Sequence, residues 1–204
     1  MVLNSLLKDY HIILASSSPR RKMLLAGLDI DFKVFVKPDI EELFPEKLGM
    51  LEIPVYLARA KSDHYLDRLN EKTLLITADT IVWYKDKLVG KPETAEEAVQ
   101  ILSDLSGNMH EVVTGVCLRS RKNIRIFYSH SKVYFRNLTQ EEIAYYVDAY
   151  KPLDKAGAYG IQEWIGYIGI EKIDGSFYNV MGLPVQMLYH ELTEMLENEI
   201  ADQD

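Results

Sequence analysis

The segment that most constrains this chain is TLLITAD (73–79), a strongly apolar run that TIVWY (80–84) continues. Such a run reads as a buried strand, and Asp79 stands at the carboxyl end of its apolar part. An aspartate in that position is costly to bury unless it is paired or bound to a metal. In α/β sheets this strand end is also where ligands collect. Taken alone, TADT (77–80) equally suits a turn capped by its Asp.

Other strands and helices alternate around this run. HIILAS (11–16) is a short β-branched strand; Ser17 or Ser18 then offers an N-cap, Pro19 fits a first helical turn, and Arg20 to Leu28 keeps helical spacing. DFKVFV (31–36) reads as a strand, followed by a loop with Pro38, several carboxylates and Pro45. Val55, Leu57, Ala58, Ala60, Tyr65, Leu66 and Leu69 predict one long amphipathic helix over 52–69. Lys85–Lys87 is a short turn before Leu88 and Val89. Residues 95–107 form a helix that Gly107 stops. Residues 110–120 and 123–135 form a long hairpin around Arg121–Lys122, and Thr139 with Glu142 makes a capping box for a helix ending near Ala149. After a glycine-rich stretch, 167–173 reads as a strand and 183–200 as a closing helix. No repeat or linker divides the chain, so 1–204 reads as a single domain. Its predicted class is α/β, a mixed sheet flanked by helices, with the hairpin forming a second lobe and a cleft between the lobes as the ligand site.

Bulk properties exclude several functions. With 48% hydrophobic and 26% charged residues the chain has the composition of a soluble globule. A net charge of −8 repels nucleic acid polymers, yet leaves room for a local basic pocket that takes a nucleotide. The acidic excess collects in 39–52, 93–104 and the tail 191–204, whereas Arg20, Arg21 and Lys22 sit together. The single cysteine, Cys117, cannot form an internal disulfide and reads as a packed strand residue in a reducing compartment. Lys8, Asp9 and His11 interrupt the apolar N-terminus, and no run reaches the roughly 18 apolar residues of a membrane span. The expected location is cytoplasmic, with no membrane partner.

The chemistry-bearing segments are few. In SSSPRR a helix N-terminus presents unpaired N–H groups, three hydroxyls and two guanidinium groups, a set suited to phosphate; the plain alternative is a capped helix with surface arginines. It is not a Walker loop, because the glycines and G-K-[ST] ending are missing. GKP (90–92) places Lys91 where it can return to the TADT cleft. DKAGAYGIQ (154–162) combines glycines that permit close approach with Gln162, whose amide can read a base edge. GSFYNVMGLP (175–184) is a tight loop before a helix. Five histidines lack metal-ligand spacing, and there is no G-x-S-x-G elbow.

Together these motifs resemble the Maf family of nucleoside triphosphate pyrophosphatases, also called septum-formation inhibitor proteins. The resemblance runs in family order through ILASSSPRR (13–21), IEE (40–42), LARAKS (57–62), ADTIV (78–82), GKP, HEVVTGV (110–116), PLDKAGAYGIQ (152–162) and GSFYNVMGLP. It implies hydrolysis between the α- and β-phosphates of a nucleoside triphosphate, releasing pyrophosphate. It also implies a fold like the inosine triphosphate pyrophosphatases, an elongated mixed sheet with two lobes and a central cleft, and a divalent cation, Mg2+ or Mn2+. Arg20, Thr80 and Gln162 match the type that prefers dTTP and UTP. Asp79 and Glu42 are then the metal ligands, and either orients or deprotonates the attacking water. Lys61 and Lys91 neutralise the phosphates, Ser16 and Arg20 hold phosphates or base, and Thr80 with Gln162 meets the pyrimidine edge. Ser62 stands where Ala is frequent, Lys151 where relatives carry an acidic residue, and Glu163–Trp164 where a glycine-rich continuation is common. Two alternative tasks are a non-catalytic nucleotide-binding regulator of cell division and the housecleaning of modified pyrimidine nucleotides. Dimers are frequent in the family, but no residue pattern here identifies an interface.

Overall fold

The structure, a computed structural model, describes residues 2–38 and 40–201. Met1, Asp39 and 202–204 lie outside the described residues, and so do the first residue of the acidic 39–52 segment and the end of the acidic tail.

A short helix α1 (Leu3–Leu6) precedes strand β1 (His11–Leu14) and helix α2 (Pro19–Ala26). Ser18 caps α2 by accepting the Arg21 N–H, and Pro19 occupies its first position, where no donor is needed. Strand β2 (Phe32–Val34) leads through a long loop to α3 (Glu52–Asp63). The long helix expected over 52–69 ends early, with a 3-10 turn over Leu66–Arg68. Tyr65 breaks it: its side chain is buried against Ala15 and Leu75, and its hydroxyl accepts the Lys37 N–H at 2.9 Å.

Strand β3 (Thr73–Tyr84) is almost continuously buried. His11 to Leu14 pair in parallel with Thr73 to Ile76, and Val82 to Tyr84 pair antiparallel with β4 (Lys87–Val89). Asp79 therefore lies inside one long strand, not at a strand end, which removes the turn alternative for TADT. Helix α4 (Ala95–Leu105) stops two residues before Gly107. Strands β5 (Met109–Arg119) and β6 (Ile124–Phe135) follow, joined by a turn in which Ser120 N–H donates to Asn123 O at 2.9 Å. Helix α5 (Gln140–Tyr150) carries both halves of the Thr139–Glu142 capping box, and the exposed Lys151 closes it in the left-handed conformation. The strand expected over 167–173 is half helix: α6 (Trp164–Gly169) precedes β7 (Ile170–Asp174). Short aromatic and β-branched runs do not separate strand from helix by period, and Tyr167 on α6 is 83% exposed. Within GSFYNVMGLP, expected as a loop, Phe177–Met181 form α7 before α8 (Val185–Ala201).

Among the described residues seven strands make one mixed sheet in the order β2-β1-β3-β5-β6-β7, with β4 on β3. The expected α/β class and mixed sheet are thus present. Residue contacts group into two compact units, Met1–Asp79, Thr114–Ser129 and Gly182–Asp204 in the first, Thr80–Val113 and His130–Met181 in the second. The chain changes unit inside β3, β5 and β6. The β5–β6 hairpin is consequently no lobe of its own, since its turn belongs to the first unit and its outer ends to the second. In the first unit Ala15, Tyr65 and Leu75 form a core that Ile13, Phe35, Ile40 and Leu69 cover, and α1 packs on α8. In the second, Val82, Val112 and Val133 are covered by Val89, Ala156, Ile170 and Val180, and α4 packs on α5. No helix among the described residues is long and apolar enough to cross a membrane.

Candidate active site

The site in the first unit depends on how α3 is seated. On a strand, residues two apart share a face about 7 Å apart; on a helix, residues three apart share a face at about 5–6 Å. Thr77 and Asp79 of β3 meet Ala58 and Lys61 of α3 in just this way. The Thr77 hydroxyl donates to Ala58 O at 2.6 Å, and Lys61 Nζ donates to Asp79 Oδ1 at 2.6 Å. The helix is also fixed to β5 at both ends. A Cβ at Gly115 would stand 2.3 Å from the Pro54 carbonyl, so only glycine lets the first turn of α3 lie so close. At the other end the buried Ser62 hydroxyl donates to Arg59 O at 2.7 Å and accepts from Arg119 at 3.0 Å. Ser62, where Ala is frequent, therefore ties the Lys61 turn to β5.

Lys61 gathers a second carboxylate, with Glu42 Oε1 at 2.7 Å from Nζ. Asp79 and Lys61 are largely enclosed, their side chains 9% and 15% exposed, whereas Glu42 is 49% exposed. Two carboxylates of different accessibility thus converge on one ammonium, as their assignment to a single site requires.

Arg21, which the family resemblance does not single out, joins this group. Its Nε donates to Gly182 O at 2.8 Å and its Nη1 to Ser16 Oγ at 3.4 Å. Desolvation lowers its pKa from the usual guanidinium value, opposed by the charges of Asp79 and Glu42 and reinforced by that of Arg20. Those partners place Arg21 in the field of the acidic pair. Successive residues on a helix point about 100° apart, so Arg20 and Arg21 leave α2 in different directions, and nothing in SSSPRR tells which of them meets the acidic pair. Ser16, 9% exposed, accepts from both Arg21 and the Ser18 N–H.

Thr80, Lys91 and Gln162 belong to the second unit. Thr80 follows Asp79 on β3 and therefore points to the opposite face of the strand. Lys91 is exposed, and the preceding carbonyl of Gly90 accepts the Gly157 N–H at 3.1 Å, which links GKP to the DKAGAYGIQ loop. Gln162 is half-buried, and its Oε1 has no hydrogen-bond partner among the described residues. The buried Lys155 and Tyr146 form a network with the half-buried Glu163 beside it; the network carried no role in the sequence reading, where Glu163 was visible only as a departure from the family pattern.

The model of the Maf-like protein family matches residues 11–195. The chain is 57% identical to the dTTP/UTP pyrophosphatase of Parabacteroides distasonis, over 91% of this chain and 96% of that one. It is 54% identical to the dTTP/UTP pyrophosphatase of Bacteroides thetaiotaomicron (93% and 98% covered) and 53% identical to that of Porphyromonas gingivalis (94% and 98%). Against the solved Staphylococcus aureus Ham1 protein the TM-score is 0.46 at 16% identity, covering 91% of this chain and 99% of that one, a likeness too low to bear on the fold. By the span of the family match and these identities, the chain belongs to the Maf-like protein family.

Proposed function

We propose that this chain hydrolyses dTTP and UTP to the nucleoside monophosphate and pyrophosphate, water attacking the α-phosphate. The convergence of Asp79 and Glu42 on Lys61, within the field of Arg21, carries the reading. The relatives named dTTP/UTP pyrophosphatases supply the nucleotide.

Asp79 and Glu42 fit a divalent cation. They offer hard carboxylate oxygens that converge on the same ammonium, Lys61 Nζ. Two carboxylates, with the remaining positions left to phosphate oxygens and water, are what Mg2+ commonly takes. Such an ion, when bound, neutralises phosphate charge and favours the ionised form of water. Asp79, enclosed and held by a central strand, takes the proton of the attacking water as its oxygen bonds to the α-phosphorus. The bond from the α-phosphorus to the bridging oxygen breaks, and pyrophosphate leaves with the electron pair. Lys61 meets the charge that builds on the phosphates, and Arg21 and Ser16 grip them; Arg20, as a contact to phosphate or base, rests on the family pattern. Lys91 as a further phosphate contact, and Thr80 with Gln162 as readers of the pyrimidine edge, rest on the family pattern. The free, buried Cys117 is consistent with a cytoplasmic setting.

A panel of UTP, dTTP, CTP, ATP and GTP with magnesium tests the reading. UTP and dTTP are expected to exceed the purine nucleotides in kcat/KM by about 10²-fold or more, with pyrophosphate as co-product. A purine preference, or release of orthophosphate, contradicts it. Adding 5-methyl-UTP and pseudo-UTP ranks the modified pyrimidines.

A further inference from the structure

Gln162 Oε1 is a buried acceptor with no partner among the described residues. A buried acceptor in that state is costly, and a ligand N–H relieves it. The imide N–H of uracil or thymine is such a donor, whereas the corresponding ring nitrogen of cytosine is an acceptor. An oxygen can tell these apart only if its loop cannot shift to suit the wrong base.

Two arrangements immobilise that loop. Tyr146 on α5, fully buried, donates its hydroxyl to Glu163 Oε2 and accepts the Gly160 N–H at 3.0 Å. One hydroxyl thus ties both residues that flank Ile161–Gln162. The second carboxylate oxygen of Glu163 lies 3.3 Å from Lys155 Nζ, which also pairs with Asp154 at 2.7 Å. Burial, and after it the hydrogen bond to Glu163, pushes the Tyr146 hydroxyl far above the usual phenol range, so it remains a donor. α6 also lies close against the loop: a Cβ at Gly166 would stand 1.8 Å from Ile161 O. At Gly160 a Cβ would stand 2.7 Å from Glu163 Cδ and 3.0 Å from Gln162 Nε2. Glu163 is one of the residues by which this chain departs from the glycine-rich family continuation, and the network gives that departure a purpose.

We propose that Tyr146 and Glu163, with Lys155 balancing the carboxylate charge, are positioning residues that hold Gln162 rigid against the base. The proposal rests on the reading that Gln162 contacts the base of the substrate. Tyr146→Phe, Glu163→Ala, Glu163→Gln, Gln162→Ala and the double variant Glu163→Ala/Gln162→Ala are compared on UTP and CTP, alongside amide hydrogen exchange at Gly160–Gln162. Tyr146→Phe and Glu163→Ala are expected to speed exchange at Gly160 and to raise KM for UTP about tenfold, the scale of one lost polar contact, with a much smaller change in kcat. The UTP-over-CTP preference falls with them. Glu163→Gln, which keeps an oxygen for Tyr146, restores most of both. In the Gln162→Ala background Glu163→Ala causes no further loss of preference, because it acts through the missing side chain.

Unchanged exchange at Gly160 in Tyr146→Phe, or additive losses in the double variant, overturns the proposal. If Gln162→Ala abolishes the preference while Tyr146→Phe and Glu163→Ala preserve it, positioning alone fails. If Gln162→Ala leaves the preference intact, the base-contact reading fails and the proposal with it, whatever the exchange rates show.

Discussion

Asp79 Oδ1 and Lys61 Nζ meet at 2.6 Å across 18 residues of sequence, in a pair whose side chains are 9% and 15% exposed. Removing Lys61 would leave the enclosed Asp79 carboxylate and Glu42 without their shared ammonium. The contact is therefore costly to break, and it fixes the carboxylate in direction. Glu42, on a loop and more open, offers a second carboxylate at the same ammonium with greater freedom to move.

Asp79→Asn keeps the shape of that side chain and removes its basicity. Turnover of UTP is expected to fall about 10²–10⁴-fold, the usual worth of a positioned general base. Nucleotide binding, followed by calorimetry, stays measurable because Arg21, Ser16 and Lys61 remain. Unchanged turnover would place the active site elsewhere.

Gly115→Ala tests the seating of α3. The added methyl meets the Pro54 carbonyl at 2.3 Å, so helix or strand must shift. A loss of about 1–3 kcal/mol in urea unfolding is expected, together with a drop in kcat as Lys61 moves from Asp79. Wild-type kcat in a destabilised variant would separate the helix seat from catalysis.

His110 sets an acid limit on stability. It is buried between Phe135 and Tyr159, with Nε2 2.7 Å from the Tyr159 hydroxyl, and burial lowers its pKa from 6.5 to about 4. Between those values the unfolded chain binds the proton and the folded chain does not, so stability falls as pH drops from 6.5 towards 4. The full shift corresponds to about 3 kcal/mol. His110→Phe should flatten that part of a urea-midpoint profile. A variant profile as steep as the wild type would assign the acid limit to other groups.

Where local chemistry decides structure, the sequence was sufficient. The Ser18–Pro19 start of α2 and the Thr139–Glu142 box each depend on two or three neighbouring side chains. Long-range packing decided the rest. Tyr65 ends α3 because its ring has a place in the core, and Gly166 admits α6 against Ile161, neither of which leaves a periodic signal. Within the site, Asp79 stood out at the end of its apolar run, Glu42 and Lys61 came from family motifs, and the structure brings the three together. Arg21 was missed because only the rotation of α2 singles it out from Arg20. Glu163 was missed as a working residue because its partner Tyr146 lies 17 residues away on another helix.

Hydrolysis of UTP in water enriched in oxygen-18, with mass analysis of both products, tests the central claim most directly. Attack at the α-phosphate by water activated at Asp79 predicts one heavy oxygen in UMP and none in pyrophosphate. Label in pyrophosphate, or release of labelled orthophosphate, would contradict it.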